Sequence, residues 1–201
     1  MKDNHQMDGF RFDESIFRFL DDLAANNDRE WFEKNRNRYK NELLGPMQSF
    51  VNHIAPFVKT VDPDVMTDPG IDRVVSRIYR DLRFTKDKSP YKTYIRATFK
   101  RPDTEWKETP LYHFVIHRGG FGHGIGFMRR NTDFMREWRS YIDGHEKEMA
   151  KMAEDFSDYP LWSEQFKRLK RKDLPTALSQ WYNTKNLMLI KYHSREDLFT
   201  T

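Results

Sequence analysis

The chain has 201 residues, of which 15% are aromatic and 33% are charged, with a formal net charge of +4 and no cysteine. The aromatic content favours a folded chain over a disordered one, and the length allows one domain or two small ones. Because the chain has no cysteine and no run of the ~20 apolar residues that a membrane span needs, we expect a cytoplasmic protein without disulfides, thiolate zinc sites or a membrane partner.

Apolar residues at helical spacing predict three helices at the start of the chain. The first begins after Asp13, a candidate N-cap. Asn27 and Glu30 form a capping-box pattern for the second helix, which we expect Gly45-Pro46 to interrupt. The third helix carries the clearest apolar stripe, made of Met47, Phe50, Val51, Ile54, Val58 and Val61. We expect all three helices to face a core.

The apolar pattern then changes to a period of two. Residues 91–100 alternate between a largely apolar face and a basic face, which predicts a half-buried strand. A β-hairpin is predicted next, with strands 111–117 and 121–128 on either side of Gly119-Gly120. The alternating glycines at 122, 124 and 126 are strand positions that indicate packing under an aromatic ring or close approach of another backbone or a ligand.

The rest of the chain is predicted to be mostly helical. Asn131 or Thr132 is a candidate cap for a long helix that reaches residue 156. Two short helices around 161–169 and 175–184 and a strand at 187–192 are predicted to follow. The sequence therefore indicates a single α+β domain over residues 1–201, with N-terminal helices packed on an antiparallel sheet and further helices in the C-terminal half.

Three histidines lie in the predicted hairpin. His113 and His117 share one strand face but sit ~13 Å apart at ~3.3 Å per residue, too far for both to ligate one ion. With a two-residue turn at Gly119-Gly120, His123 lies on the other face from His117, whereas a three-residue loop would reverse that. We predict no metal site, and the sequence leaves any cofactor undefined.

Positive charge is concentrated at residues 77–101, which hold nine bases and two acids, whereas residues 1–34 hold nine acids and five bases. A second basic stretch runs from Lys167 to Lys172. We expect the first cluster to bind an anionic small molecule that carries a phosphate or a carboxylate, since the planar fork of arginine matches both groups. The candidate ligand-binding residues are Arg77, Arg80, Arg83, Lys88 and Lys92.

Three alternatives stay open for the same cluster. Asp81 and Asp87 are candidates for a general base or a Mg²⁺ ligand in a metal-assisted phosphoester-processing enzyme. Basic residues interleaved with tyrosines could also bind nucleic acid, which is favoured less because Tyr91 falls on the apolar face of its strand. Finally, the arginines could pair with carboxylates of the same fold in a structural salt-bridge network. The sequence decides neither whether the protein is an enzyme nor its oligomeric state.

The basic segment also carries a family resemblance. Its pattern R-x-x-R-D-x-R-F-x-x-D-K-x-P-Y-K-T closely resembles the signature of a widespread bacterial family of domains of unknown function with scattered fungal members. The block NNDREWFEKNRNRY at residues 26–39 is similar to a second motif of that family. The resemblance spans most of the chain, and it implies no established activity.

Overall fold

The computed structural model describes residues 10–83, 86–102 and 109–199. The strands in these residues are β1 (Tyr94–Phe99), β2 (Leu111–His117), β3 (Gly120–Gly126) and β4 (Met188–His193). Within the described residues they form one four-stranded antiparallel sheet in the order β1-β2-β3-β4. Helices precede and follow the first three strands, so the predicted α+β class is confirmed.

The helices are α1 (Ser15–Ala25), α2 (Arg29–Lys34), α3 (Arg36–Arg38), α4 (Gly45–Val61), α5 (Thr132–Gly144), α6 (Glu146–Asp155) and α7 (Thr176–Tyr182). A π-helical turn, Tyr39–Leu44, connects α3 to α4, and a 3-10 turn, Glu196–Leu198, follows β4. In the part of the chain that the structure describes, no helix is long and apolar enough to cross a membrane.

The first two helix caps differ from the predicted ones by one residue. Asp13 precedes the N-cap position of α1 and accepts a hydrogen bond from the Ser15 N–H at 2.8 Å. The N-cap of α2 is Asp28, whose side chain accepts from the Trp31 N–H at 2.9 Å. The predicted capping box with Asn27 was therefore wrong. Since Asn and Asp are both good caps, the sequence could not tell these neighbours apart.

The predicted interruption at Gly45-Pro46 was also wrong. The Gly45 N–H donates to the Lys40 carbonyl, five residues earlier, so the helical path continues through the π-helical turn. Pro46 lies in the first turn of α4, where the missing N–H of proline costs little hydrogen bonding. The chain therefore runs from α3 into α4 without a loop.

The C-terminal half contains one wrong helix and two correct elements. Residues 161–169 are not helical, and Leu161 and Gln165 instead form isolated bridges to Leu189 and Thr184. The helix around 175–184 and the strand at 187–192 are confirmed as α7 and β4. The predicted long helix breaks at His145, whose backbone leaves the helical region after Gly144, a poor helix former.

The hairpin forms with a different turn. Arg118 and Gly119 lie between β2 and β3, so Gly120 is a strand residue and not the predicted second turn residue. The turn thus lies one residue earlier in the sequence than predicted, and His117 lies opposite Gly120. Because both strands shift together, each side chain keeps its predicted face.

The glycines of β3 allow close approach of the β4 backbone. A Cβ atom at Gly120, Gly124 or Gly126 would collide with a main-chain carbonyl in β4 or directly before it. Gly120 and Gly126 also have positive φ values, of 143° and 154°. A Cβ at Gly122 would lie 2.7 Å from the Tyr192 ring. Both sequence interpretations therefore apply, with backbone approach at three positions and an aromatic ring at the fourth.

Contacts between backbone positions divide the chain into two compact units. The described parts of 1–99, 114–121 and 193–201 form the first unit, and those of 100–113 and 122–192 form the second. The prediction of a single domain over residues 1–201 stays a prediction. Buried residues of the first unit include Ile16, Phe19, Leu20, Leu23, Phe32, Leu43, Met47, Val51, Ile95 and Phe99. The second unit has a buried cluster of Ile142, Met149, Ala153, Leu174, Leu178, Trp181, Tyr182 and Leu189.

The glycine at position 124 provides a test of this strand packing. We expect Gly124→Ala to lower the free energy of unfolding by about 1–3 kcal/mol, because the new methyl group has no room beside the Leu189 carbonyl. Urea titration followed by circular dichroism measures the change. Gly144→Ala is the matched control, since nothing lies within 4 Å of its Cβ position. Equal stability of the two variants would contradict the packing described here.

Candidate anion-binding site

Two segments that are distant in sequence meet at Tyr91. The Asn27 Nδ2 group donates to the Tyr91 carbonyl and the Tyr91 N–H donates to Asn27 Oδ1, each at 3.0 Å across 64 residues of sequence. The Tyr91 ring stacks on Phe32 with ring centroids 4.0 Å apart. The segments 26–39 and 77–93, which carry the family resemblance, are thereby joined within the first unit.

Arg80 closes the loop that leads to Tyr91. Its Nε donates to the Ser89 carbonyl and its Nη2 to the Tyr91 carbonyl, both at 3.2 Å. Nη2 also lies 3.0 Å from Asp87 Oδ2, and the side chain is 21% exposed. Among the described residues Arg80 Nη1 has no hydrogen-bond partner, so this side chain is fixed in place while keeping donors available.

The two candidate catalytic acids each bind an arginine. Asp81 accepts two hydrogen bonds from the Arg83 side chain, at 3.0 and 2.7 Å, and this pairing holds the pKa of Asp81 well below its ordinary value. Hydrogen bonds from Ser89, with the charge of Arg80, lower the pKa of Asp87. A carboxylate with a lowered pKa is a weak base, so this geometry does little for general-base chemistry.

The remaining candidate cations mostly contact main-chain carbonyls. Lys88 Nζ donates to the Leu82 carbonyl at 3.0 Å, and Lys92 Nζ donates to the Arg77 carbonyl at 2.8 Å. Burial, together with the charges of Arg77 and Arg96, lowers the pKa of Lys92. The Arg77 side chain is exposed and has no hydrogen bond or ion pair within the described residues. Phe84, part of the same motif, lies outside those residues.

A pocket of about 340 Å³ opens beside this loop. Its lining residues are Arg29, Glu33, Tyr79, Arg80, Leu82, Pro90 and Tyr91. Arg80 is the candidate ligand-binding residue that the structure brings to this pocket, and the other four do not line it. Sequence reasoning did not predict Arg29 or Glu33 as pocket residues, although both belong to the block at 26–39 that carries the resemblance.

The two charged residues from α2 differ in their partners. Glu33 accepts two hydrogen bonds from the Arg36 side chain, at 2.9 and 2.5 Å, so a neighbouring cation offsets its charge. The exposed Arg29 side chain forms no hydrogen bond or ion pair with any described residue. In the pocket lining, Arg29 is therefore a guanidinium group that no described carboxylate offsets, whereas Arg80 is paired with Asp87.

The outer edge of β1 is paired with the chain before it. Residues 74–76 run along its edge, where the Ser76 N–H donates to the Arg96 carbonyl at 2.8 Å and the Thr98 N–H to the Val74 carbonyl at 2.9 Å. The Arg96 guanidinium lies 5.5 Å from the Tyr94 ring centroid. The Tyr94 ring on this strand is thus already in contact with an arginine. No group of three or more His, Asp or Glu side chains in the described ranges could hold a metal ion.

The connection between the two segments can be tested at Asn27. We expect Asn27→Ala to reduce the free energy of unfolding by about 1–3 kcal/mol, since the N–H of buried Tyr91 loses its partner. Thermal and urea denaturation measure the effect. Asn37→Ala is the control, because Asn37 is exposed on α3 and makes no side-chain hydrogen bond with the described residues. A neutral Asn27→Ala would show that the hydrogen-bonded pair contributes nothing to stability.

Comparison of the sequence with known proteins identifies its family. No curated protein sequence matches the chain. The family described as "Conserved hypothetical protein (DUF2461)" matches residues 15–201, a range that includes both segments joined at Tyr91 and the whole sheet. The match covers nearly the entire chain and confirms the predicted membership in a family of unknown function. The chain belongs to the DUF2461 family of conserved hypothetical proteins.

Proposed function

We propose that the protein binds a small phosphate- or carboxylate-bearing molecule in the pocket lined by α2 and by the segments 79–82 and 90–91. The observation that carries this proposal is the pair of guanidinium groups in the lining, Arg29 and Arg80, whose remaining N–H donors have no protein acceptor among the described residues. Guanidinium groups bind phosphate and carboxylate oxygens with matched geometry.

The charges around the pocket support an anionic ligand. Arg36 offsets the carboxylate of Glu33, and Asp87 pairs with Arg80, so Arg29 leaves the lining with a net positive charge. Arg77, Arg83, Lys88 and Lys92 belong to the same segment, and their charges add a positive potential that attracts anions. In this proposal Arg80 contacts the ligand directly, and the other four act mainly through that potential.

The apolar part of the lining indicates what the rest of the ligand is like. Tyr79 is 47% exposed and Leu82 is 36% exposed, and Pro90 lies beside them in the pocket wall. Such surfaces gain free energy when an apolar or aromatic group covers them. We therefore expect a ligand with one anionic group and an apolar or aromatic body, of a size that suits a pocket of about 340 Å³.

Arg29 allows the sharpest test, because removing its side chain breaks no hydrogen bond with the described residues. A thermal-shift screen with inorganic phosphate, phenyl phosphate, benzoate and related compounds should find ligands that raise the melting temperature. At 100 times Kd a ligand adds about 2.7 kcal/mol, a rise of roughly 5–10 °C for a chain of this size. We expect Arg29→Ala to abolish that rise. Arg18→Ala, at an exposed arginine outside the pocket, should retain it.

Other outcomes would replace the proposal. If none of the compounds stabilises the unmodified protein, or if Arg29→Ala keeps the full rise, the pocket is not an anion site. Nucleic-acid binding would instead give an affinity that falls linearly with salt in a log–log plot, with Lys92→Ala, Arg96→Ala and Lys100→Ala each flattening the slope by about one unit. Mg²⁺-dependent phosphoester hydrolysis that Asp81→Asn and Asp87→Asn abolish would favour the enzyme.

A further inference from the structure

Three cations surround one aromatic ring in the second unit. The Cζ atoms of Arg130 and Arg139 lie 5.7 and 5.3 Å from the Phe166 ring centroid, and Lys170 Nζ lies 4.8 Å from it. In the described part of the chain none of these three side chains forms an ion pair with a carboxylate. Contact with the ring face leaves their positive charge in place, so the group as a whole attracts anions.

Arg139 is held without a neutralising partner. Its three nitrogen atoms donate to main-chain carbonyls of Met135, Tyr182 and Thr184, at 2.6 to 2.9 Å. Burial, with repulsion from Arg130, lowers the pKa of Arg139. Carbonyls accept its hydrogen bonds but carry no net charge, so its positive charge persists within the partly buried site.

These residues line a pocket of about 410 Å³. The lining consists of Arg130, Thr132, Met135, Arg136, Arg139, Ser140, Asp143, Phe166 and Lys170. Asp143 already accepts hydrogen bonds from Arg171 at 3.0 Å and from the Tyr182 hydroxyl at 3.1 Å. Arg136 pairs with exposed Asp133 at 3.0 Å. Arg130, Arg139 and Lys170 are therefore left as the uncompensated charges of the pocket.

Asn183 fixes two sides of this pocket. Its fully buried side chain accepts from the Lys170 N–H at 2.7 Å, and its main-chain carbonyl accepts from the Phe166 N–H at 2.9 Å. The neighbouring carbonyls of Tyr182 and Thr184 hold Arg139. One short segment thus holds the backbone of Phe166 and Lys170 and the guanidinium group of Arg139 before any ligand arrives, which lowers the entropic cost of binding.

We propose that this pocket binds a small anion with two or more linked phosphate groups. The three uncompensated cations carry more positive charge than one phosphate group offsets at about −1.5 to −2, and the hydroxyls of Thr132 and Ser140 add donors in the lining. The pocket shares no residue with the one lined by Arg29 and Arg80, so it forms a second site in addition to the proposed function.

Inorganic pyrophosphate is the probe, used in isothermal titration calorimetry with the full chain at low salt. We expect pyrophosphate to bind at least about tenfold tighter than inorganic phosphate, and Arg130→Ala and Lys170→Ala each to weaken its binding by roughly tenfold or more. Lys172→Ala is the matched control, because this exposed lysine lies in the same basic stretch but outside the pocket lining. It should leave the affinity for pyrophosphate unchanged.

A second comparison separates this inference from the proposed function. Arg29→Ala should leave pyrophosphate affinity unchanged, whereas Lys170→Ala should leave the thermal shift with phenyl phosphate or benzoate unchanged. Pyrophosphate binding that Arg29→Ala removes and Lys170→Ala preserves would overturn the inference and leave the proposed function standing. Absence of pyrophosphate binding, equal losses in Lys170→Ala and Lys172→Ala, or binding of a single-stranded RNA oligonucleotide without pyrophosphate binding would also overturn it.

Discussion

The reciprocal hydrogen bonds between Asn27 and the backbone of Tyr91 determine which residues can face one another in the first unit. They connect the start of α2 to the end of the basic segment, and the Phe32–Tyr91 stack keeps the two segments in contact. Arg29 and Arg80 line the same pocket because of this connection. The candidate site therefore depends on an uncharged amide, although its chemistry depends on arginine.

Helices and strands with a long, regular apolar pattern were predictable from the sequence. Contacts between segments that are distant in the sequence were not. The period of two identified β1, and the apolar stripe identified α4, because each pattern reports burial of one face. Asn27 shows where sequence-based prediction stops. Asparagine suits a helix cap and also a hydrogen bond to a distant segment of the same chain, so the residue type does not reveal which role it has. The pocket lining was hidden for a related reason: Arg29 lies 51 residues before Arg80 in the numbering, and no local pattern relates them. The helix prediction for residues 161–169 was wrong because isolated bridges to other segments give no periodic pattern in the sequence.

Cations in this protein often donate to main-chain carbonyls in place of carboxylates. Lys88, Lys92 and Arg139 all have such partners, and Arg80 combines two carbonyls with one carboxylate. A carbonyl satisfies an N–H donor without cancelling its charge, so counting acids against bases overstates how completely a fold can neutralise its cations. The choice between a structural network and an anion site is thus not a choice between exclusive roles, because one arginine can hold a loop and still present positive charge.

The glycines of β3 have a consequence for the order in which the sheet forms. A strand with glycine at four alternate positions loses much backbone entropy on ordering and gains few side-chain contacts from the β2–β3 hairpin alone. What stabilises it is the β4 backbone, which begins 62 residues after the end of β3 and is synthesised later. Completion of the sheet therefore has to wait until β4 has been synthesised, and this long-range pairing is of the kind that slows folding.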